Sequence, residues 1–322
     1  MTEKAVEAFK IKKKYPKSEY FALNGITFTL NAGRILSILG PNGAGKTTLI
    51  KILTTQLKKT SGKAKIFGYD LDYQVNKIRP LIGYVGHNAG SSLYIELTGR
   101  QNLIYFAGLY GISRKEAFQK ISELERYFNV NFLDIKVCYY SWGMRQIVSI
   151  MRSLLHDPAI IFLDEPTAGL DIFNSMKLRE MIKQYSKMKE KTVVIATHNL
   201  YEAEILSDEV IILNKGVLIE HDVIEKIKDK IGYTIFKIKT ISNYTNKIID
   251  KLKNENVFLE VLAKENNEIV AYIEKKRKLE CLKIIALKLD DLSKYILDFK
   301  VVEPSLEDVL KKLLKGEYSL WL

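Results

Sequence analysis

Cysteine is nearly absent from this chain. Its 322 residues hold two, Cys138 and Cys281. Neither sits at a metal-ligand spacing, and no disulfide framework is indicated, which suits a reducing cytoplasm. Long hydrophobic runs are missing too. No stretch of 18 apolar residues occurs, so no transmembrane helix is expected. Met1 to Lys14 is charged and lacks an apolar core, which argues against a secretory signal. There are no internal repeats or low-complexity tracts, and a hydrophobic fraction of 47% is that of a globular protein. Acidic residues are in deficit: 38 against 50 basic ones, a net charge of +12. Such a balance fits nucleic acid, anionic lipid or nucleotide. The lysines are dispersed, as in Lys226-Ile227-Lys228-Asp229-Lys230, and Lys12-Lys13-Lys14 is the only short run. The charge therefore reads first as solvated surface, then as a membrane-facing feature, and least as a specific nucleic-acid site.

What is present is a phosphate-binding loop. Gly40-Pro41-Asn42-Gly43-Ala44-Gly45-Lys46-Thr47 fits G-x-x-x-x-G-K-[ST], with Thr48 next to it. Backbone N–H groups can wrap an anion only where the chain turns tightly and no Cβ intrudes. Lys46 supplies a mobile charge for the β- and γ-phosphates, and the Thr47 hydroxyl is placed to ligate Mg²⁺. Ile35–Leu39 reads as a buried strand before the loop, and Thr47–Leu57 as a helix whose N-terminus faces the anion. A second buried run, Ile160-Ile161-Phe162-Leu163, ends in Asp164-Glu165. A carboxylate at that strand end sits beside the phosphate loop and can hold Mg²⁺, which makes Asp164 the metal candidate. Glu165, one residue on, is the candidate general base for an attacking water.

The pattern along the chain predicts two domains, one of about 220 and one of about 100 residues. The first 80 residues are β-rich, with strands at Phe21–Leu30 and Ala64–Phe67. Helical spacing predicts helices over Arg100–Leu109, Lys115–Phe128 and Met144–Leu155. Short β-branched runs at Ile160–Leu163 and Val193–Ala196, separated by a helix over Asn174–Lys189, imply a parallel sheet with crossovers. His221–Gly232 reads as a charged helical linker. Beyond it the order is strand Thr234–Lys239, helix Tyr244–Leu252 and strand Val257–Leu262. After a turn at Asn266-Asn267 come strand Glu268–Ile273, helix Lys278–Leu289, strand Ile296–Val302 and helix Ser305–Leu314. That βαββαβ order predicts a small ferredoxin-like α+β domain.

Taken together, these motifs resemble the ATP-binding subunit of an ABC transporter over residues 1 to about 220. Tyr15 resembles the aromatic residue that stacks on adenine, and Gly40–Thr47 the Walker A loop. Ser141-Trp142-Gly143-Met144-Arg145-Gln146 takes the place of the signature motif, and Asp164-Glu165 closes Walker B. Ala168-Gly169-Leu170-Asp171 resembles the D-loop, and His198 in Ala196-Thr197-His198 the switch histidine. The run Leu155–Asp171 is closest to the export subfamily. The resemblance implies an α/β P-loop NTPase core (ABC ATPase) with an antiparallel β subdomain and a helical insertion at about 88–155. It implies residues 1–220 as the nucleotide-binding domain, 221–232 as linker and 233–322 as an accessory domain. ATP and Mg²⁺ are the implied cofactors. Two subunits would sandwich ATP head to tail. Ser141 and the helix starting near Gly143 would cap the γ-phosphate held by the other subunit, and Asp171 would lie in the D-loop. Glu165 would polarise the water, and His198 would hold the geometry.

Two positions depart from the family pattern. The residue after Ile82-Gly83-Tyr84-Val85-Gly86 is His87, where the family has a glutamine that touches Mg²⁺ or its water. An imidazole can still accept from a metal-bound water or ligate weakly, unlike an amide. Trp142 replaces the first signature glycine, so its indole either turns away or holds the γ-phosphate farther off. A slowed but working site and a degenerate site in a heterodimer both remain open. The ending Val302-Glu303-Pro304-Ser305-Leu306-Glu307-Asp308-Val309 resembles the tail of ABC-2-type exporter ATPases, as an accessory or dimer-contact module. The expectation is an ATPase at the cytoplasmic face of the membrane, driving export through a separate ABC-2-type permease, with a second ATPase subunit and no specific nucleic acid. The rivals are a non-transport ABC ATPase and an ATP-binding regulatory protein. Against the former stand a single cassette and too short a span between His87 and Ser141 for a coiled coil.

Overall fold

The computed structural model describes residues 3–87, 89–230, 232–253, 258–264, 267–288 and 290–314. The chain divides into two units, one ending at Val223 and the other beginning at Ile224. In the first, β1 (Lys4–Lys14) and β2 (Phe21–Asn31) pair antiparallel, joined by β4 (Ser61–Ile66) and β5 (Tyr69–Asp70). A six-stranded sheet follows in the spatial order β10-β9-β3-β8-β7-β6. Its strands are β3 (Ile35–Leu39), β6 (Ile82–Val85), β7 (Ile160–Asp164), β8 (Thr192–Thr197), β9 (Glu209–Asn214) and β10 (Val217–Val223).

β3, β7 and β8 are buried at every residue, which is what a parallel strand covered on both faces requires. Alternate side chains feed two cores. Leu36, Ile38, Phe162 and Val194 join Leu49, Ile50 and Leu53 of α1 (Lys46–Leu53) and the antiparallel sheet. Ile35, Ile161, Leu163 and Val193 join the other core with the helices that follow. After the short α2 (Val75–Ile78) these are α3 (Gly99–Leu109), α4 (Arg114–Tyr127), α5 (Trp142–Leu154), α6 (Ile172–Lys189) and α7 (Leu200–Leu206). The caps are local chemistry. Thr98 and Gln101 form a capping box on α3, and Ser113, Ser141, Asp171 and Asn199 cap α4 to α7 through their side-chain oxygens.

The second unit opens with α8 (Ile224–Asp229). It continues as β11 (Tyr233–Thr240), α9 (Thr245–Lys253), β12 (Phe258–Lys264), β13 (Glu268–Glu274), α10 (Lys278–Lys288), β14 (Ile296–Val302) and α11 (Leu306–Leu314). The sheet order is β12-β13-β11-β14, antiparallel throughout, the split βαβ arrangement. Phe236, Ile238, Ile269 and Ile273 form its core with Ile248 and Leu252 of α9 and Cys281 of α10. Val257, Asn266 and Leu289, which ended or turned the expected elements here, lie outside the described residues.

Some boundaries differ from the sequence expectation. α1 stops at Leu53 rather than Leu57, because the Thr54 hydroxyl bonds back to the Ile50 carbonyl and Thr55 turns to a φ of 61°. Phe67 falls outside β4, with a φ of 46°. His221 to Val223 is not helical but the end of β10, in register with β9, and the helix begins only at Ile224. α5 and α6 each start two residues before the expected position, at the residue after the capping Ser141 or Asp171.

Candidate functional site

The phosphate loop leaves the C-terminal end of β3 and enters α1. Gly45 sits at the helix cap with a φ of 104°, and a Cβ there would lie 2.6 Å from the Ala22 carbonyl oxygen, so only glycine fits. No side chain caps α1, which leaves its first N–H groups for an anion. Pro41, Asn42, Gly43, Ala44, Gly45, Lys46, Thr47 and Thr48 line a cavity of about 370 Å³ together with Ala22, His87 and Glu165. Lys46 is buried, and its Nζ donates to the carbonyls of Gly40 at 2.6 Å and Pro41 at 3.3 Å. Burial holds the Lys46 ammonium below its ordinary pKa, opposed by the nearby Glu165 and Asp164 carboxylates. Tyr15 stands at the same loop, its hydroxyl 3.2 Å from Thr48 Oγ1, with its ring part-exposed and Lys13 Nζ 5.2 Å above the ring centre.

The acid pair closes β7. Asp164 is buried, and Thr47 Oγ1 donates to its Oδ1 at 3.2 Å. Its Oδ2 is buried without a hydrogen-bond partner. Burial pushes the carboxyl above its ordinary pKa, and Glu165 adds to this; Thr47, His87 and Lys46 pull it back. A hydroxyl and an orphaned carboxylate oxygen side by side are hard oxygen donors, and they fit Mg²⁺. Glu165 has a left-handed backbone, φ 52°, held by its N–H donating to Ala196 O at 2.8 Å. A non-glycine residue in that region costs about 1–2 kcal/mol, a strain characteristic of active sites. Its carboxylate lies 3.6 Å from Lys46 Nζ and 2.9 Å from His198 Nδ1. The imidazole's other nitrogen is left free of that contact, and the His198 side chain is 54% exposed.

The structure thus brings Tyr15, Gly40 to Thr48, His87, Asp164, Glu165 and His198 to one place. Ser141, Gly143 and Asp171 do not line that cavity. Ser141 Oγ accepts from the Met144 N–H at 3.2 Å, and Asp171 Oδ1 from the Asn174 N–H at 2.9 Å. Gly143 faces Leu170, 3.3 Å from where a Cβ would sit. The Trp142 indole is turned onto the D-loop, its Nε1 donating to Ala168 O at 3.0 Å. Sequence reasoning missed two residues here. Thr167 Oγ1 donates to Oε1 of the wholly buried Glu202 at 2.8 Å. Only the adjacency of Thr167 to the acid pair, and the four-residue spacing of Glu202 from His198, could have pointed to them.

A phosphate loop after a buried strand, a lysine folded into it and an acid pair at the neighbouring strand end define a nucleoside-triphosphate-hydrolysing α/β core. Comparison with known proteins narrows the class. The family description "ABC transporter" matches residues 23–168. The chain is 36% identical over 220 residues to the ABC transporter ATP-binding protein NatA of Bacillus subtilis, covering 68% of this chain and 87% of that protein. It is 34% identical over 229 residues to the doxorubicin resistance ATP-binding protein DrrA of Mycobacterium tuberculosis, covering 71% and 68%. Among solved structures, the ATP-binding cassette MJ0796, a post-hydrolysis dimer bound to ADP and Pi, aligns at a TM-score of 0.61 and 27% identity. That alignment covers 68% of this chain and 98% of that one. The chain belongs to the ATP-binding subunits of ABC transporters, and it is an ATP-hydrolysing enzyme.

Proposed function

We propose that this chain powers export through a separate ABC-2-type permease, acting at the cytoplasmic face of the membrane as one half of an ATPase dimer, preferably a homodimer. The observation that carries the chemistry is the contact of Glu165 with both Lys46 and His198 at the mouth of the phosphate cavity. Among the described residues no helix is long and apolar enough to cross a membrane, which leaves the solute path to a partner. Export is favoured by the likeness to DrrA, a protein named for doxorubicin resistance, since resistance to a drug calls for outward movement.

The residues divide the work as follows. Lys46 and the first N–H groups of α1 bind the β- and γ-phosphates, and the Tyr15 ring stacks on the base. Thr47 and Asp164 would hold Mg²⁺, with His87 facing the same space; when bound, the ion would neutralise phosphate charge. Glu165 orients the attacking water and accepts its proton, and His198 fixes the carboxylate and turns its free nitrogen toward the γ-phosphate. Ser141, Gly143 and the N-terminus of α5 serve the nucleotide of the facing subunit, with Asp171 beside it in the D-loop. Reconstituting the chain in vesicles with the membrane protein encoded beside it tests the reading. ATP-dependent solute movement, lost with Lys46→Ala, is expected. An ATPase indifferent to that protein but stimulated by DNA ends or ribosomes would overturn it.

A further inference from the structure

Glu202 is a carboxyl that the hydrolytic chemistry does not call for, wholly buried on α7 where an apolar residue would pack beside Ala203 and Leu206. Burying a carboxyl is costly unless it is held by specific partners. Thr167, two residues past Glu165 and one before the D-loop, donates to Glu202 Oε1 at 2.8 Å; Thr197 and Arg179 also act on the carboxyl against the effect of burial, and Oε2 has no hydrogen-bond partner. The backbone N–H of Glu202 donates to Asn199 Oδ1 at 3.1 Å, and the Asn199 N–H to Thr197 Oγ1 at 3.0 Å. The main chain of Glu202 is therefore anchored to the turn that carries His198, whose Nδ1 meets Glu165. On its other side the D-loop is held by Trp142, through the Ala168 carbonyl. Gly169, at φ 74°, lets the indole approach: a Cβ there would lie 3.2 Å from Nε1.

We propose that Glu202 is a positioning residue for hydrolysis: through Thr167, the residue that leads into the D-loop, it ties that loop to the His198 turn, while Trp142 ties the same loop to the signature helix. The two ties make one frame of Glu165, His198 and the Ser141–Gly143 end of α5. The catalytic pair of one ATP site and the signature serving the facing site then keep a single geometry. This rests on the reading of Glu165 and His198 as the hydrolytic pair. A frame of this kind acts on turnover rather than on ATP binding, because the hydrogen bonds of Lys46 to the Gly40 and Pro41 carbonyls involve neither Thr167 nor Glu202.

The test compares steady-state ATP hydrolysis and binding of a fluorescent ATP analogue in Thr167→Val, Thr167→Ser, Glu202→Ala and Glu202→Gln, with Glu165→Gln as control. Thr167→Val and Glu202→Ala are expected to lower kcat about tenfold or more, the scale of a misplaced catalytic group, with KM and analogue affinity within about twofold. Thr167→Ser keeps the donor and Glu202→Gln the acceptor, so both restore most of the turnover. The double variant Thr167→Val/Glu202→Ala is expected to be no worse than the worse single one, because both remove one link. Unchanged kcat in Thr167→Val, or equal losses in Thr167→Ser and Thr167→Val, would overturn the proposal. So would losses that multiply in the double variant. Should Glu202→Ala fail to fold, the Thr167 pair decides alone. Should Glu165→Gln itself leave turnover intact, the reading of the site fails, a result distinct from failure of the frame.

Discussion

Replacing Trp142 by glycine gives a sharp forecast, because the sequence left two arrangements open and the structure distinguishes them. The indole is turned onto Ala168 and Gly169. With the residue 37% exposed, about three-fifths of it is removed from water. A fully buried tryptophan truncated in a core costs about 3–5 kcal/mol, so this one is worth about 2–3 kcal/mol in packing. The lost N–H···O bond adds about 0.5–1.5 kcal/mol. At about 2–4 °C per kcal/mol for a domain of this size, Trp142→Gly is expected to lower the melting temperature by about 5–18 °C. Trp142→Phe keeps the ring and loses the bond, and should shift melting by only a few degrees. Hydrolysis in both is expected to slow, since the D-loop loses its tie to α5. Calorimetry and phosphate release on the same preparations decide it. A faster Trp142→Gly enzyme with an unmoved melting temperature would mean that the indole obstructs the facing γ-phosphate, and that its bond to Ala168 carries no weight in the working dimer.

Two further outcomes follow from the cavity. Lys46→Ala removes a charge-assisted contact worth about 1.5–3 kcal/mol, so titration should show ATP affinity falling by about 10- to 150-fold; a change within about twofold would remove Lys46 from the phosphate site. Asp164→Asn should raise the melting temperature of the nucleotide-free protein at pH 7 while abolishing the Mg²⁺-dependent part of ATP affinity. Burial raises the Asp164 carboxyl, so the folded chain holds that proton more tightly than the unfolded one. Stability therefore falls as pH rises from the ordinary carboxyl value of 3.8 through the raised pKa, and stays lower above it. The gap between variant and wild type should close below that ordinary value; a gap constant with pH would contradict the assignment.

The core strands were legible because burial on both faces leaves an unmistakable apolar run, as in Ile35–Leu39 and Ile160–Leu163. Ile296–Val302 coincides with its strand to the residue. β1 is not evident from the sequence, because Lys10 and Lys12 to Lys14 interrupt the alternation of Val6, Ala8 and Ile11. The end of β10 read as helix because His221 and Asp222 look like a solvated face, while their pairing with β9 is a long-range fact. The phosphate loop and the acid pair could be read directly, each being a short segment whose chemistry fixes its spacing. The Glu165–His198 contact, the orphaned Asp164 oxygen and the Thr167–Glu202 link could not. Each depends on segments that meet only in the fold, and neither threonine nor glutamate signals alone that it will be buried against the other.

The most direct test of the central claim is phosphate release by Glu165→Gln beside wild type at saturating Mg²⁺ and ATP, with the affinity for ATP measured in parallel. Turnover about 10²–10⁴-fold lower at unchanged affinity is expected when a general base is lost while the phosphate loop stays intact. Turnover within about twofold of wild type would contradict the account, because the contacts of Glu165 with Lys46 and His198 would then be structural and the hydrolytic centre would lie elsewhere.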